Sequence, residues 1–208
     1  LSLVASKGKP MIVSTGMAYL SEVETAVRTI KEAGNNDFVL LQCTSNYPAE
    51  AKDVNLKAMQ TMGLAFSVSV GYSDHTTGIE VPIAAVAMGA SVIEKHLTLD
   101  NHMPGPDHAA SLEPSEFAAM VKGIRIVEAA QGHGRKEPVA SEIGTADVAR
   151  KSLVAARDIE PGETLTEGLL AIKRPGTGLP PAMRQELLGK TAKTRIQIGA
   201  LITLEMLA

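Results

Sequence analysis

The sequence predicts an α/β protein, a parallel sheet of four βα units with helices outside, followed by a small, mostly β domain. Three observations carry this expectation. Strand-like apolar runs alternate with helix-period segments four times, near residues 9–34, 38–62, 66–89 and 91–130. Each of those runs ends in a polar loop. From Val148 onward the pattern changes to short extended pieces separated by Gly- and Pro-containing turns. A closed (β/α)8 barrel needs eight βα units in about 250 residues. Four units therefore make either a small open sheet or a barrel whose first half is absent.

Lys9-Pro10-Met11-Ile12-Val13 reads as the first strand and delivers Ser14-Thr15-Gly16-Met17 to a loop. Ser21, with Glu24 three residues on, makes a capping box. The helix expected there has Val23, Ala26, Val27 and Ile30 as its apolar stripe and Gly34 as its stop. Phe38 to Cys43 is nearly continuous apolar, as in a strand covered on both faces, and it leads to the polar loop Thr44-Ser45-Asn46-Tyr47-Pro48. A helix is expected around Val54 to Met62. The third strand runs up to Tyr72 and presents Ser73-Asp74-His75-Thr76. Pro82 suits the first turn of the following helix, Ile83, Val86 and Ala87 keep helical spacing, and Gly89 ends it. Ser91-Val92-Ile93 opens a fourth strand that closes on Glu94-Lys95-His96. A loop rich in His, Pro and Gly follows, then a helix from about Ser115 to Ala130 with Phe117, Met120, Val121 and Ile124 inward.

Residues 131–147 read as a linker, because Gln131 to Thr145 has no apolar period and holds Gly132, Gly134 and Pro138. The expected division is therefore 1–130, 131–147 and 148–208. In the last part, Ser152 to Ala156 is strand-like and Ile159-Glu160-Pro161-Gly162-Glu163 is a turn. Lys173 to Pro181 forms a stiff loop that begins with two cations. A β domain of this size is near the lower limit for independent stability.

The chain is 45% hydrophobic and 21% charged, with a formal net charge of -3. That balance suits a globular protein and offers no basic surface for nucleic acid or an anionic membrane. Cys43 is the single cysteine, so no intrachain disulfide can form, and a reducing, cytoplasmic compartment is expected. No apolar run reaches the roughly 18 residues of a membrane span. The chain starts at Leu1 on what reads as the tail of an earlier unit, so it is expected to be a piece of something longer.

One βα unit places His75 and His96 at equivalent ends of two neighbouring parallel strands, where ligands bind in parallel α/β folds. The surrounding motifs are specific. KPMIVSTGM, LLQCTSNYP, GYSDHT, GASVIEKHLTLD and PGPDHAASLEP occur in the order and at the spacing of the sialic acid synthase family, which the chain resembles over essentially its whole length. The tail, with ARKSLVAARDI and KRPGTGLPP, is similar to that family's antifreeze-like (SAF) domain. The resemblance implies the C-terminal half of a (β/α)8 TIM barrel followed by a β-clip SAF domain. It also implies four further βα units before Leu1, carrying an acid and a lysine, so that residues 1–208 alone are expected to be inactive. The implied reaction condenses phosphoenolpyruvate with N-acetylmannosamine and releases phosphate. The PGPDH string resembles the N-acetylneuraminate branch, with legionaminate or pseudaminate synthesis as the alternative.

In that chemistry C3 of the enol phosphate attacks an aldehyde carbon, water attacks C2 and phosphate leaves. Charge develops on the aldehyde oxygen, where a Lewis acid lowers the barrier. The resemblance assigns His75 and His96 to Mn²⁺ or Mg²⁺, and neutral imidazoles suit that role. A strand-end histidine can equally be structural. Glu94 falls on the side of His96, with Lys95 opposite, by period-two alternation. It either orients a ligand or substrate or forms an ion pair. Ser73 and Tyr47 match positions lining the phosphoenolpyruvate pocket, with Ser45 and Asn46 beside them. Asp107 is implied to hold sugar hydroxyls, the alternative being a turn cap. Ser14 and Thr15 offer a phosphate cradle or an ST-turn. By resemblance Arg174 reaches the N-acetyl group in a partner's barrel, which implies a domain-swapped homodimer. A non-catalytic sugar-binding or dimerisation module is the rival reading. His102, His108 and His133 read as surface or loop residues, and Cys43 as a buried, inert thiol.

Overall fold

The structure, a computed structural model, describes residues 1–208 and divides into two compact units, Leu1–Gly134 and Arg135–Ala208. In the first unit a short helix α1 (Ser2–Ala5) precedes β1 (Met11–Ser14), α2 (Leu20–Glu32), β2 (Phe38–Cys43) and α3 (Lys57–Phe66). Then come β3 (Ser69–Asp74), α4 (Glu80–Ala87), β4 (Ile93–Lys95) and α5 (Pro114–Gln131). The four strands form one sheet in the order β1-β2-β3-β4, every pair parallel. Parallel neighbours in sequential order are the product of βα units laid side by side in one direction.

Alternation gives the sheet two unlike faces. Val13, Leu40 and Val70 pack with Val23, Val27 and Ile30 of α2 and Met62 of α3. Tyr72 continues that face beneath Met59 of α3 and Ala85 of α4. The other face carries Ile12, Cys43, Ser73 and Glu94, and Ile12 is 60% exposed. Helix α4 is apolar around its whole circumference because it is covered by β3 on one side and α5 on the other. Gly34 and Gly89, at φ +85° and +101°, follow α2 and α4 in the left-handed region that only glycine enters freely.

Several local expectations need correction. The box that opens α2 lies two residues earlier, where the Tyr19 N–H donates to Glu22 Oε2 at 2.7 Å; helix geometry there follows the loop after β1 rather than Ser21. Helix α3 starts at Lys57, not Val54, because a 3-10 turn over Ala51–Asp53 and a left-handed Asn55 intervene. Val121 is 37% exposed, while Met120 and Ile124 are buried. The last strand is shorter than read, and His96 lies just past its end.

The second unit contains helix α6 (Ile143–Ala149), strand β5 (Ser152–Ala155), strand β6 (Leu170–Lys173) and a short helix α7 (Arg184–Leu187). Residues 140–147, read as part of a linker with no apolar period, thus lie in a 3-10 turn and in helix α6. Strands β5 and β6 pair antiparallel, and isolated bridges tie Ile159 to Ile196 and Ala192 to Leu207. Leu153, Ile159, Leu165, Leu187, Ile196 and Ile202 are almost wholly buried around one core. The loop that carries Arg174 is pinned from β5. Ser152 Oγ donates to the Pro175 carbonyl at 2.7 Å and accepts from the Gly178 N–H at 2.9 Å.

Candidate functional site

The register of the sheet builds the site in two rows. Cys43, Ser73 and Glu94 stand side by side at the C-terminal ends of β2, β3 and β4. Ser73 Oγ–H donates to Glu94 Oε1 at 2.6 Å. One step further along, His75 and His96 face each other edge to face, with ring centroids 5.1 Å apart. The Tyr47 ring from the loop after β2 lies 4.2 Å from His75 and 5.8 Å from His96. Three aromatic rings and one carboxylate thus share one mouth of the sheet.

His75 is only 4% exposed and its ring is oriented by the chain. Its Nδ1 lies 3.1 Å from the Thr44 carbonyl, which can only accept, so Nδ1 carries the proton and Nε2 is the bare nitrogen of the neutral ring. Burial pushes the pKa of this imidazole below its ordinary value. The Thr44 carbonyl opposes that shift, and His96 adds to it. The Ala49 N–H donates to the His75 carbonyl at 2.8 Å, so the loop 44–49 grips His75 by backbone, imidazole and ring face. The His96 carbonyl accepts the Leu112 N–H at 2.9 Å, which ties the end of β4 to the segment before α5.

On the helix-facing side of the same strands lies a group that sequence reading passed over. Asp74 and Lys95, register partners, pair at 2.7 Å with both side chains wholly buried. Asp74 Oδ1 also accepts the Thr76 N–H at 3.0 Å and the Thr76 hydroxyl at 2.9 Å, and Lys95 Nζ donates to the Thr76 carbonyl. Two opposite charges at matched positions of adjacent strands, each one residue from a histidine, were the signal available for it. Glu94, by contrast, is bound to the Ser73 hydroxyl and not to Lys95.

The other expected residues are less uniform. Cys43 is buried, yet its Sγ lies 3.9 Å from both His75 Nδ1 and Ser45 Oγ, so it borders the histidine pair rather than a remote core. A Cβ on Gly16 would stand 2.2 Å from Ser45 Oγ; the loops after β1 and β2 meet there because residue 16 has no side chain. Thr15 donates its hydroxyl to the Leu41 carbonyl of β2 at 2.8 Å, a cross-strand bond rather than an ST-turn, while Ser14 is exposed. Asn46 is exposed beside Tyr47. Asp107 is also exposed, and it caps no turn with its side chain. His108, read as a surface or loop residue, is half-buried with Nδ1 2.8 Å from Thr98 Oγ1. Arg174 lies in the second unit, where its Nε donates to the Ala149 carbonyl at 3.1 Å.

The donor set can be weighed for a cation. No three His, Cys, Asp or Glu side chains converge as a ready-made cage. His75 Nε2 and the His96 ring supply a two-nitrogen set, oriented on the His75 side by the Thr44 carbonyl as ligating histidines commonly are. Such a set fits a divalent ion whose other positions are filled by solvent or substrate oxygens.

Comparison with known proteins agrees with this frame. Residues 1–136 match the profile of the NeuB family, and residues 150–208 match the SAF domain. N,N'-diacetyllegionaminic acid synthase of Campylobacter jejuni is 47% identical over 204 residues, covering 97% of this chain and 61% of the relative. N-acetylneuraminate-9-phosphate synthase of Homo sapiens is 39% identical over 199 residues, covering 95% and 55%. The crystal structure of spore coat polysaccharide biosynthesis protein spsE from Bacillus subtilis superposes with a TM-score of 0.62 at 34% identity, over 100% of this chain and 63% of that one. The chain spans about three fifths of the length of the curated relatives it matches.

Proposed function

We propose, from the premise that this chain belongs to the NeuB family and carries a SAF domain, that it forms part of a nonulosonic acid synthase. In this reading the reaction joins phosphoenolpyruvate to an N-acetylated amino sugar and releases phosphate, and the sheet is half of a (β/α)8 barrel. One observation carries it: two histidines, 5.1 Å apart ring to ring, stand at the ends of adjacent parallel strands above a hydrogen-bonded Ser73–Glu94 pair.

His75 through Nε2, together with His96, would hold Mn²⁺ or Mg²⁺, and a divalent cation there polarises a carbonyl oxygen toward attack. Ser73 can turn its hydroxyl from Glu94 to a carboxylate or phosphate oxygen of the enol phosphate. Glu94, relieved of that donor, is a carboxylate on the histidines' side of the sheet that can hold or release a proton. Tyr47 covers both imidazoles and limits water at that edge. Ser45, Asn46, Ser14 and Thr15 line the neighbouring loops and are assigned to the phosphate end. Asp107 offers a free carboxylate for sugar hydroxyls, and Arg174 is assigned to the N-acetyl group in a dimer.

The 47% identity to a synthase named for a diacetylated sugar, against 39% to the neuraminate-9-phosphate enzyme, favours a second reading of the acceptor. An N,N'-diacetylated amino sugar then replaces N-acetylmannosamine. Calorimetric titration of the 208-residue chain with Mn²⁺ tests the site: one ion per chain is expected, lost in His75→Ala and in His96→Ala. Undiminished binding in either variant refutes the assignment. Phosphate release by the whole protein, with each sugar in turn, separates the two acceptors.

A further inference from the structure

The Asp74–Lys95 pair has no part in the chemistry above, and stability does not account for it. Two charges wholly removed from water lose their hydration, and an apolar pair of similar volume often serves a fold as well or better. What the pair does have is position. Strand β4 has only three residues, and Asp74–Lys95 is its last register rung, directly before His96. On β3, Asp74 Oδ1 closes a turn over His75 by accepting both donors of Thr76, and Lys95 reaches across to the Thr76 carbonyl. The residues on both sides of His75 are therefore fastened to the residue that precedes His96. A three-residue strand has few rungs with which to fix its register.

We infer that Asp74, Lys95 and Thr76 are positioning residues, a buried clamp on the helix-facing side that sets the separation of His75 and His96 on the opposite side. This rests on the proposed role of the two histidines as cation ligands. A working site must be held to within about 0.5 Å, so a clamp one residue away from each ligand acts directly on affinity.

The test uses the 208-residue chain labelled with ¹⁵N at histidine. Wild type is expected to show His75 as the Nδ1–H tautomer, with nuclear Overhauser contacts between the His75 and His96 rings. Asp74→Asn combined with Lys95→Met keeps an oxygen for Thr76 and removes both charges together, so that no lone buried charge remains. The double variant is expected to keep its circular dichroism spectrum, to lose the ring-to-ring contacts and to bind Co²⁺ at least tenfold more weakly with an altered visible spectrum. A folded double variant with wild-type ring signals and wild-type Co²⁺ binding overturns the inference. If wild type itself binds no Co²⁺, the cation reading falls, and the ring signals alone decide the clamp. If the double variant does not fold, Thr76→Val replaces it. That variant removes one donor to Asp74 and is expected to weaken Co²⁺ binding about threefold and to broaden the His75 signals; unchanged signals and binding overturn the inference.

Discussion

Replacing Gly71 by alanine should move the fourth strand off the third. Gly71 lies on β3 where a Cβ would stand 2.4 Å from the Val92 carbonyl oxygen and 2.6 Å from Leu41 Cδ2. Contacts under 3.0 Å essentially never occur, so the Val92 backbone must retreat by at least about 0.6 Å. A side chain could rotate away, but a carbonyl that accepts the Tyr72 N–H at 2.9 Å cannot move without loosening β3 from β4. Overpacking of this kind costs roughly 2–3 kcal/mol, which lowers the melting temperature by about 5–10 °C in a chain of this size. The displacement also exceeds the roughly 0.5 Å within which a working site must be kept, so cation binding should fail before folding does. Thermal unfolding followed by circular dichroism, with Mn²⁺ titration of the folded variant, reads both effects. A Gly71→Ala protein with wild-type melting temperature and wild-type Mn²⁺ affinity would refute the close-approach account.

Tyr72 is wholly buried with its hydroxyl unpaired, and burial, followed by the nearby Asp74 carboxylate, drives its pKa upward. Tyr72→Phe should stabilise the protein by about 1 kcal/mol, because a buried hydroxyl without a partner costs more than none. Denaturant titration checks this, and a loss of similar size would mean that the phenol donates to Asp74. In the second unit, Asp158 accepts the Ile198 N–H at 2.8 Å and pairs with Arg195 at 2.8 Å, which holds its carboxyl below the ordinary 3.8. A depressed carboxylate contributes stability above its unfolded pKa and loses it as pH falls through the folded value. The advantage of wild type over Asp158→Asn should therefore be level above about pH 5 and shrink steadily below pH 4, as measured by unfolding across that range. An advantage that grows on acidification would contradict the linkage.

The βα rhythm was legible because each strand ends abruptly in polar residues and each helix in a glycine or a break. His75 and His96 could be paired from sequence, since one βα unit fixes their register. Period-two alternation likewise put Glu94 with His96 and Lys95 opposite, as the Ser73–Glu94 bond and the Asp74–Lys95 pair now show. Lys95's partner was legible by the same register, since Asp74 and Lys95 each precede a paired histidine by one residue. The nearness of Cys43 to His75 depends instead on the register between β2 and β3, which spacing along one strand does not give. Start points of α2 and α3 differ from the sequence reading because the extended Tyr19 and the left-handed Asn55 override local cap preferences. The helix over Ile143–Ala149 was invisible in a stretch with no buried residue to mark its period.

The charge pair behind the histidines also constrains how this sequence can drift. A substitution at Asp74 or Lys95 alone strands its partner's charge without solvent, so a lineage that loses one must pass through a crippled ancestor or change both codons nearly at once. Neighbouring exposed positions face no such barrier. Descendants of this chain should therefore carry Asp74 and Lys95 as a unit, kept or exchanged together, while exposed positions away from the mouth of the sheet vary freely.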